Sequence, residues 1–600
     1  MKIPKQIYFV LVVIFSFLLS IFLSSKIHIP LGYTSIVGEY SEQNYHPLND
    51  FLKYITYTFV PILFFFLLKF IFDKKIIHNF LQNLNHPIAT FNFDRLGYFF
   101  VFFFILLVIF EFFSVEYPMN KIDLYHEGQR LSAAFKNTLD GSLWSGSYVV
   151  VSIFHEIIGT KMIWLITGNK TIGSLRFLDL SYVLISKIII IFLSFQLSKF
   201  VNLSHNLKNI FFVILTLVLL QQVDYNIYDG GVFALREIPV ILTLIFFFKS
   251  LESKSFLNFI IIGFIVVSTF FWSIDRALVL SFFSIYIFLF LLLNKKYFHI
   301  FIFFISLLSF SILFSFMLGF ESDYFFSNTI NVFREHTYIN GIIHPDLLSD
   351  EKNSFRATKS IFLITLSLLI VLNLLFNRNQ NKQNELKIVL LSLGVISFLS
   401  YIYAIGRSDG LHIKQTLAFP IIFFTLFFLN VFFQKLEEKS LTKYLNNKLY
   451  PLAIIFLVSL INYQNFNFSN SINFFDRYVK YTSLTDDKFL NNEDISFIKL
   501  HSKIFDNETC LQLFTNDAAF NFLFKKPSCS RFYFTYTIGS KTNQKKIISE
   551  IEDVNYILIG GKTDNWSLPF EKKYPLLFEY LKNNYSIFKE FSKRKILVKN

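Results

Sequence analysis

Residues 98–115 read YFFVFFFILLVIFEFFSV, eighteen positions with one charged side chain, Glu111. A helix through them would have no polar face to offer water. An apolar run of that length is what a helix needs to cross the ~30 Å hydrocarbon core of a bilayer. Residues 7–25, IYFVLVVIFSFLLSIFLSS, repeat the pattern with no charge. Working outward, such runs recur along the first 464 residues and predict about thirteen spans. They lie near 7–25, 54–72, 97–115, 180–198, 208–224, 231–248, 256–272, 276–293, 298–318, 359–376, 387–405, 412–433 and 449–464. The composition agrees, with 54% hydrophobic and 16% charged residues and a mean hydropathy of +0.49. Soluble domains carry about 25% charged residues. The fold class is therefore mainly α, a polytopic transmembrane bundle.

The first run is too long for a signal-peptide core and lacks a small-residue cleavage site, so it reads as a retained helix. The net charge of +14 does not point to nucleic acid, because the Lys and Arg residues sit in short loops between apolar runs. With the amino terminus inside, the inner segments carry Lys2 and Lys5, then Lys74, Lys75 and Arg95, Lys199 and Lys208, Lys249 and Lys254, Lys295 and Lys296, Arg378, Lys382 and Lys387, and Lys435, Lys439, Lys443 and Lys448. This is the positive-inside pattern. It places 116–179, 319–358, the turn 406–411 and residues 465–600 together on the extracytoplasmic side. A pump or channel would bury ionisable groups within its spans; here the unusual polar residues lie in outer loops and at helix ends. The chain thus divides into a membrane module, 1–464, and an outer α/β domain, 465–600. Strands are expected at 510–515, 556–560 and 596–598, and a helix at 575–588. The two cysteines, Cys510 and Cys529, both lie there. On the outer side they can form a disulfide worth roughly 3 kcal/mol in the chain-entropy model. Neither a CxxC metal spacing nor a Gly-rich nucleotide loop is present.

The loop 116–179 is the most informative stretch. Its middle, Tyr148 to Ile166, is apolar but interrupted by His155, Glu156 and Lys161. This reads as amphipathic helices lying in the interface, with a further span as the alternative. Asp123, His126 and Glu127 share a helical face at spacings of three and four. Two carboxylates and an imidazole can do acid–base work, hold a divalent cation, or simply be solvated. Arg407, Asp409, His412 and Lys414 mark the turn between the eleventh and twelfth spans, where a helix amino end favours an anion; headgroup snorkelling also explains Arg407 and Lys414. Arg236 and Glu237 lie inside an apolar run, where charge must face a cavity or find a partner. Arg334, His336 and His344 sit in 319–358, which reads either as a lid or as a plain surface loop.

An acidic residue in an early outer loop, then HEG (126–128), interfacial helices and a later Arg176 resemble the integral-membrane glycosyltransferases of the GT-C superfamily. The resemblance covers about residues 97–600 and is most specific at IDLYHEGQRLSAAF (122–135) and GRSDGLHIKQ (406–415). It implies an inverting transfer of sugar from a polyprenyl-phosphate carrier to a glycan, lipid or protein acceptor, on the outer face of a bacterial inner membrane. It implies Asp123 as general base, with Glu127 the second carboxylate. Substrate contacts would come from His126, Arg407, Asp409, His412, Lys414, Arg236 and Glu237. The sequence departs from the family in having two spans before the one that leads into the acidic loop. Asp123 and Glu127 are also separated by three residues, where the family pairs acids as Asp-x-Asp or Glu-x-Asp. A lipid or glycan transporter and a non-catalytic envelope protein are the competing readings.

Reporter fusions after Asn294 are expected to remain cytoplasmic, and those at Asn340 and after Asn600 to be exported. An exported signal at Asn294 would reverse the orientation.

Overall fold

The structure, a computed structural model, describes residues 5–31, 38–84, 90, 92–223, 225, 235–253, 255–340, 342–377, 384–405, 407–438, 450–462, 466–562, 564 and 569–600. Among these, nine helices are long and apolar enough to cross a membrane: Ile7–Ser24, Leu48–Phe72, Arg95–Ser114, Ile172–Ser198, Ile274–Leu293, Tyr297–Leu318, Ser354–Phe376, Leu386–Ala404 and Gly410–Glu438. The other four predicted spans coincide with shorter apolar helices, His205–Leu220, Ile238–Glu252, Leu257–Trp272 and Tyr450–Ile461. These measure about 18–24 Å at 1.5 Å per residue, less than the hydrocarbon thickness. One cause is visible at Ser273. Its extended backbone (φ −164°, ψ 111°) cuts Leu257–Trp272 from Ile274–Leu293, and the Ile274 N–H is tied to the Val151 carbonyl at 2.8 Å.

The helices 95–114, 172–198, 205–220, 238–252, 384–400 and 418–438 share one apolar core. Tyr297–Leu318 stands at the edge, with only Phe303 and Ser306 buried along its length. The chain is a multi-pass membrane protein, and the side that carries residues 115–171 is called outer below. The apolar stretch 148–166 forms no span. A π-turn, Phe154–Ile158, runs into the short helix Gly159–Thr167. Glu156 holds it by accepting the N–H groups of Val150 (3.0 Å) and Val151 (2.5 Å) and the Tyr533 hydroxyl (2.6 Å).

Residues 319–358 are not a plain loop. They contain the helix Glu321–Asn340, which is pinned to the first outer loop. Glu321 accepts from the N–H groups of Leu143 and Ser145, Asn328 bonds both backbone groups of Val149, and the Tyr148 hydroxyl donates to Asn331.

The C-terminal unit is a four-stranded sheet of order β1–β2–β4–β3, with β1 Gln512–Phe514, β2 Tyr556–Ile559, β3 Tyr585–Phe591 and β4 Arg594–Lys599. β1 and β2 are parallel and the other pairs antiparallel. The helix expected through 588 stops at Asn584. Two asparagines end it, and the alternating YSIFKEF that follows suits a strand. Cys510 and Cys529 are joined beside β1, with Cα atoms 5.0 Å apart. Arg594 is buried between the rings of Phe497 (5.0 Å) and Phe520 (4.5 Å) and bonds Asp494 and Asp517.

This unit does not stand off from the membrane module. Leu131, Ala134 and Phe135 of the outer helix His126–Asp140 share a core with Leu513, Phe520 and Phe522. Gly128 makes that approach possible, since a Cβ there would fall 2.3 Å from the Ala519 nitrogen. Ser132 donates to the Ala518 carbonyl at 2.6 Å, and the Ala519 N–H to the Leu124 carbonyl at 3.0 Å.

Candidate functional site

A cavity of about 420 Å³ opens where the outer helix ends converge. Leu48 and Phe51 come from the second span, Val150 and Val151 from the first outer loop, and Ile274, Leu278 and Val279 from the start of another span. Most of the wall is apolar. Among the described residues, the polar groups on it are three arginines, Arg236, Arg334 and Arg407, with His46, Tyr403 and a single carboxylate, Asp275. A concave apolar wall with a few fixed polar groups is the usual form of a ligand site. Three guanidinium groups against one carboxylate select an anion, and their planar forks match phosphate.

Two of the arginines, Arg236 and Arg407, are held from behind, whereas Arg334 is exposed and meets only the neighbouring Glu335 at 3.1 Å among the described ion pairs. Arg236 donates to the Tyr403 hydroxyl (3.2 Å) and stands 4.0 Å from Asp275. The opposite support of Tyr403 is Arg276, whose guanidinium lies 4.3 Å from the ring centroid. Arg276 also pairs with Asp275 at 3.1 Å and with Glu237. Glu237 is therefore not a substrate contact. It is 1% exposed, and a carboxylate so buried needs the opposite charge that the neighbouring helix supplies. The 3₁₀ turn Leu235–Glu237 sends Arg236 to the cavity and Glu237 away from it.

Arg407 stacks on Tyr536 of the C-terminal unit at 5.5 Å, and its backbone pairs with Ile342 in a parallel bridge. Asp409 lies 3.5 Å from its Nε, accepts the Leu411 and His412 N–H groups, and meets His412 Nδ1 at 2.7 Å. Burial would raise the Asp409 carboxyl, but His412 and Arg407 together hold it below the usual carboxylate range. Asp409 and His412 thus act behind Arg407. Lys414 is exposed and is not on the cavity wall. The strand partner of Arg407 is fixed in turn by the first outer segment. Asp50 accepts the Tyr40 and Tyr45 hydroxyls (2.7 and 2.8 Å) and the His344 N–H (3.1 Å), and His344 Nε2 meets the Tyr401 hydroxyl at 2.7 Å. The side chain of His336 lies outside the described residues.

Asp123 and Glu127 do not form one site. Glu127 is 2% exposed and receives both Nε and Nη2 of Arg176, at 2.6 and 3.0 Å. Its Oε2 also accepts the Asp123 backbone N–H at 2.8 Å. Its expected catalytic role is corrected to a structural one, because a sealed bidentate pair has no access to an acceptor. Asp123 instead turns to His126, with Oδ2 2.7 Å from Nδ1. Neither is on the cavity wall; the pair is linked to Arg407 through rings, with Tyr125 against His126 (4.5 Å) and Tyr536 (5.8 Å), and Tyr536 against Arg407. Among the described residues, no group of three or more His, Cys, Asp or Glu is placed to hold a metal. Tyr403, Tyr536 and His46 gave no signal in the sequence, where 30 tyrosines hide the few that matter.

Two outcomes follow from this geometry. Arg176→Ala leaves Glu127 buried without its partner, which costs about 3–5 kcal/mol; thermal unfolding of the detergent-purified protein should show a large loss, with Arg176→Lys in between. His344 provides a pH test. Burial pushes its imidazole down to about 4, so the unfolded chain takes up this proton first as pH falls. Its contribution is complete above about pH 6.5 and is lost on the way down to pH 4. Between pH 7 and 5 that is on the order of 2 kcal/mol. The Tm of His344→Gln should fall less over this interval than that of wild type; an equal fall would show that His344 does not titrate this way.

No protein-family model and no curated protein matches the chain. Among solved structures, it is similar to ArnT from Cupriavidus metallidurans bound to undecaprenyl phosphate, with 10% identity and a TM-score of 0.43, covering 83% of this chain and 97% of that one. The same protein in the apo state gives 10% identity, a TM-score of 0.42, and coverage of 83% and 98%.

Proposed function

We propose that the protein is a GT-C-type glycosyltransferase that moves a sugar from a polyprenyl-phosphate carrier to an acceptor on the outer face of a bacterial inner membrane, with its amino terminus cytoplasmic and residues 465–600 extracytoplasmic. The observation that carries this reading is the cavity at the outer helix ends, where Arg236, Arg334 and Arg407 stand on a mostly apolar wall. A lipid-linked phosphosugar has the matching chemistry. Its tail suits the apolar wall and the bilayer, and its phosphate suits the guanidinium groups. Charge develops on that phosphate as the sugar leaves, so fixed cations there lower the barrier.

The acid–base centre is the pair formed by Asp123 and His126, which is linked to Arg407 of the cavity through the rings of Tyr125 and Tyr536. Such a group deprotonates the acceptor hydroxyl as it attacks. Direct displacement by that oxygen inverts the anomeric carbon. The C-terminal unit supports Arg407 through the ring of Tyr536, which gives it a part in positioning that cation.

The test is an assay of membranes with radiolabelled polyprenyl-phosphate sugars. Wild type should transfer label, and Asp123→Asn should lose transfer while remaining inserted. Arg407→Ala removes a charge-assisted contact worth about 1.5–3 kcal/mol, so its KM for the donor should rise roughly 10- to 100-fold. Failure of wild type to consume any such donor would refute the reading.

A further inference from the structure

The lipid-facing side of Arg95–Ser114 does not stop where that helix ends. Phe99, Phe102 and Leu106 form an exposed apolar row along it, at the spacings of three and four that share a helix face. Phe110 continues the row, and the rings of Phe466 and Phe468 each lie 5.3 Å from it. Phe110 stands four residues before the last residue of the helix, Ser114, which is about 6 Å at 1.5 Å per residue. The chain at 466–468 therefore meets the span within its apolar length, on the row that faces lipid.

Two short helices, Phe468–Ile472 and Phe474–Thr482, lead on from there toward the C-terminal sheet. They are strapped to the end of the span. Asn470 Nδ2 donates to the Ser114 carbonyl (3.1 Å), and the Ser114 and Ser471 hydroxyls are 2.8 Å apart. Arg477 donates to the carbonyls of Val115 (2.5 Å) and Asn470 (3.0 Å). The side chains of the strap fall into three rows. Phe474, Tyr478 and Tyr481 turn to protein, against Phe113 (4.5 Å), Phe177 (4.5 Å) and Tyr117 (4.8 Å). Phe468, Ile472, Phe475 and Val479 follow at intervals of four, three and four, and are 63, 83, 75 and 59% exposed. One position on from each of them, Ser469, Asn473, Asp476 and Lys480 are exposed and polar. Water accounts for the polar row. A row of four large apolar side chains beside it calls for an apolar neighbour.

We propose that residues 466–482 are an interfacial anchor, lying in the leaflet on the outer side with Phe468, Ile472, Phe475 and Val479 among the lipid acyl chains and the polar row toward headgroups and water. Lipid is the occupant because the apolar row continues the one that a membrane-spanning helix exposes at Phe99, Phe102 and Leu106. The depth agrees: an interfacial helix buries its apolar face about 5–10 Å into the boundary between headgroups and acyl chains. The hydrogen bonds to Ser114 and Val115 fix that depth from the protein side. The anchor thereby holds the C-terminal unit, and with it Tyr536 against Arg407, at a set height over the bilayer. It does so whatever reaction the cavity serves.

The experiment uses the purified full-length protein in nanodiscs of phosphatidylethanolamine and phosphatidylglycerol, with no other protein present. Both native cysteines are engaged with each other, so one introduced thiol carries one nitroxide label. Phe468→Cys, Ile472→Cys, Phe475→Cys and Val479→Cys are compared with Ser469→Cys, Asn473→Cys, Asp476→Cys and Lys480→Cys. Phe102→Cys serves as the lipid reference and Glu590→Cys, on an exposed strand, as the water reference. The ratio of oxygen to water-soluble nickel-chelate collision rates should be several-fold higher in the first set than in the second, and near that of Phe102→Cys. Equal access of the nickel chelate to both sets would show that the apolar row faces water, and exclusion of both reagents would show that protein covers it; either result overturns the anchor. Unsubstituted protein gives an independent check in nanodiscs whose lipids carry a photoactivatable diazirine on the acyl chain. Adducts are expected within 466–479 as well as within 99–106, and adducts at 99–106 alone overturn the proposal.

Discussion

The bidentate pair between Glu127 and Arg176 is the joint on which the outer half of the molecule depends. Neither side chain reaches solvent, and Arg176 also donates to the carbonyls of Pro118 and Asn120. One guanidinium thereby fixes the exit of the third predicted span, the start of the outer helix and the head of the next span. A pair so deeply buried gives little net stability against apolar substitutes, but it tolerates no loss of one member. Its geometric effect is the larger one. It sets the angle at which Asp123 and His126 leave the membrane surface, and it presents the helix face on which the C-terminal unit packs.

That packing explains the form of the HEG segment. Histidine is the exposed member of an oriented pair, glutamate is the buried anchor, and glycine is the place where Ala518 and Ala519 touch the helix. Three adjacent residues serve three separate contacts. The C-terminal unit is fixed by this face at one end and offers Tyr536 to Arg407 at the other. It is a support of Arg407 and not an appendage, in keeping with the core it shares with the first outer loop.

The cavity obeys a similar economy of charge. Arg276 and Glu237 neutralise each other beneath it, and their pairing leaves Arg236 to the open side. Tyr403 is held between two guanidinium groups and transmits the position of one to the other. Arg407 is placed by a carboxylate and a buried imidazole from its own turn, and by a backbone bridge to residues anchored at Asp50. Segments near residues 50, 236, 275, 334 and 407 thus build one arginine-bearing wall at the level where spans end.

The sequence by itself determined where the apolar helices run, because hydrophobic length is a local property that the bilayer imposes on each segment separately. It also determined three of the four strands, whose alternation is visible in a few residues, and it marked Asp123, His126, Arg236 and Arg407 as unusual. What it could not determine is which charges pair. Arg236 and Glu237 are neighbours in the chain, yet one faces the cavity and the other is claimed by Arg276, 39 positions on. Glu127 shares a helical face with Asp123 by spacing, but Arg176, 49 residues away, seals it. A charge at a helix end becomes anchor or ligand contact according to the helix packed beside it. That neighbour is chosen by the tertiary fold, because the energy of a buried charge depends on distances across helices that no local pattern records.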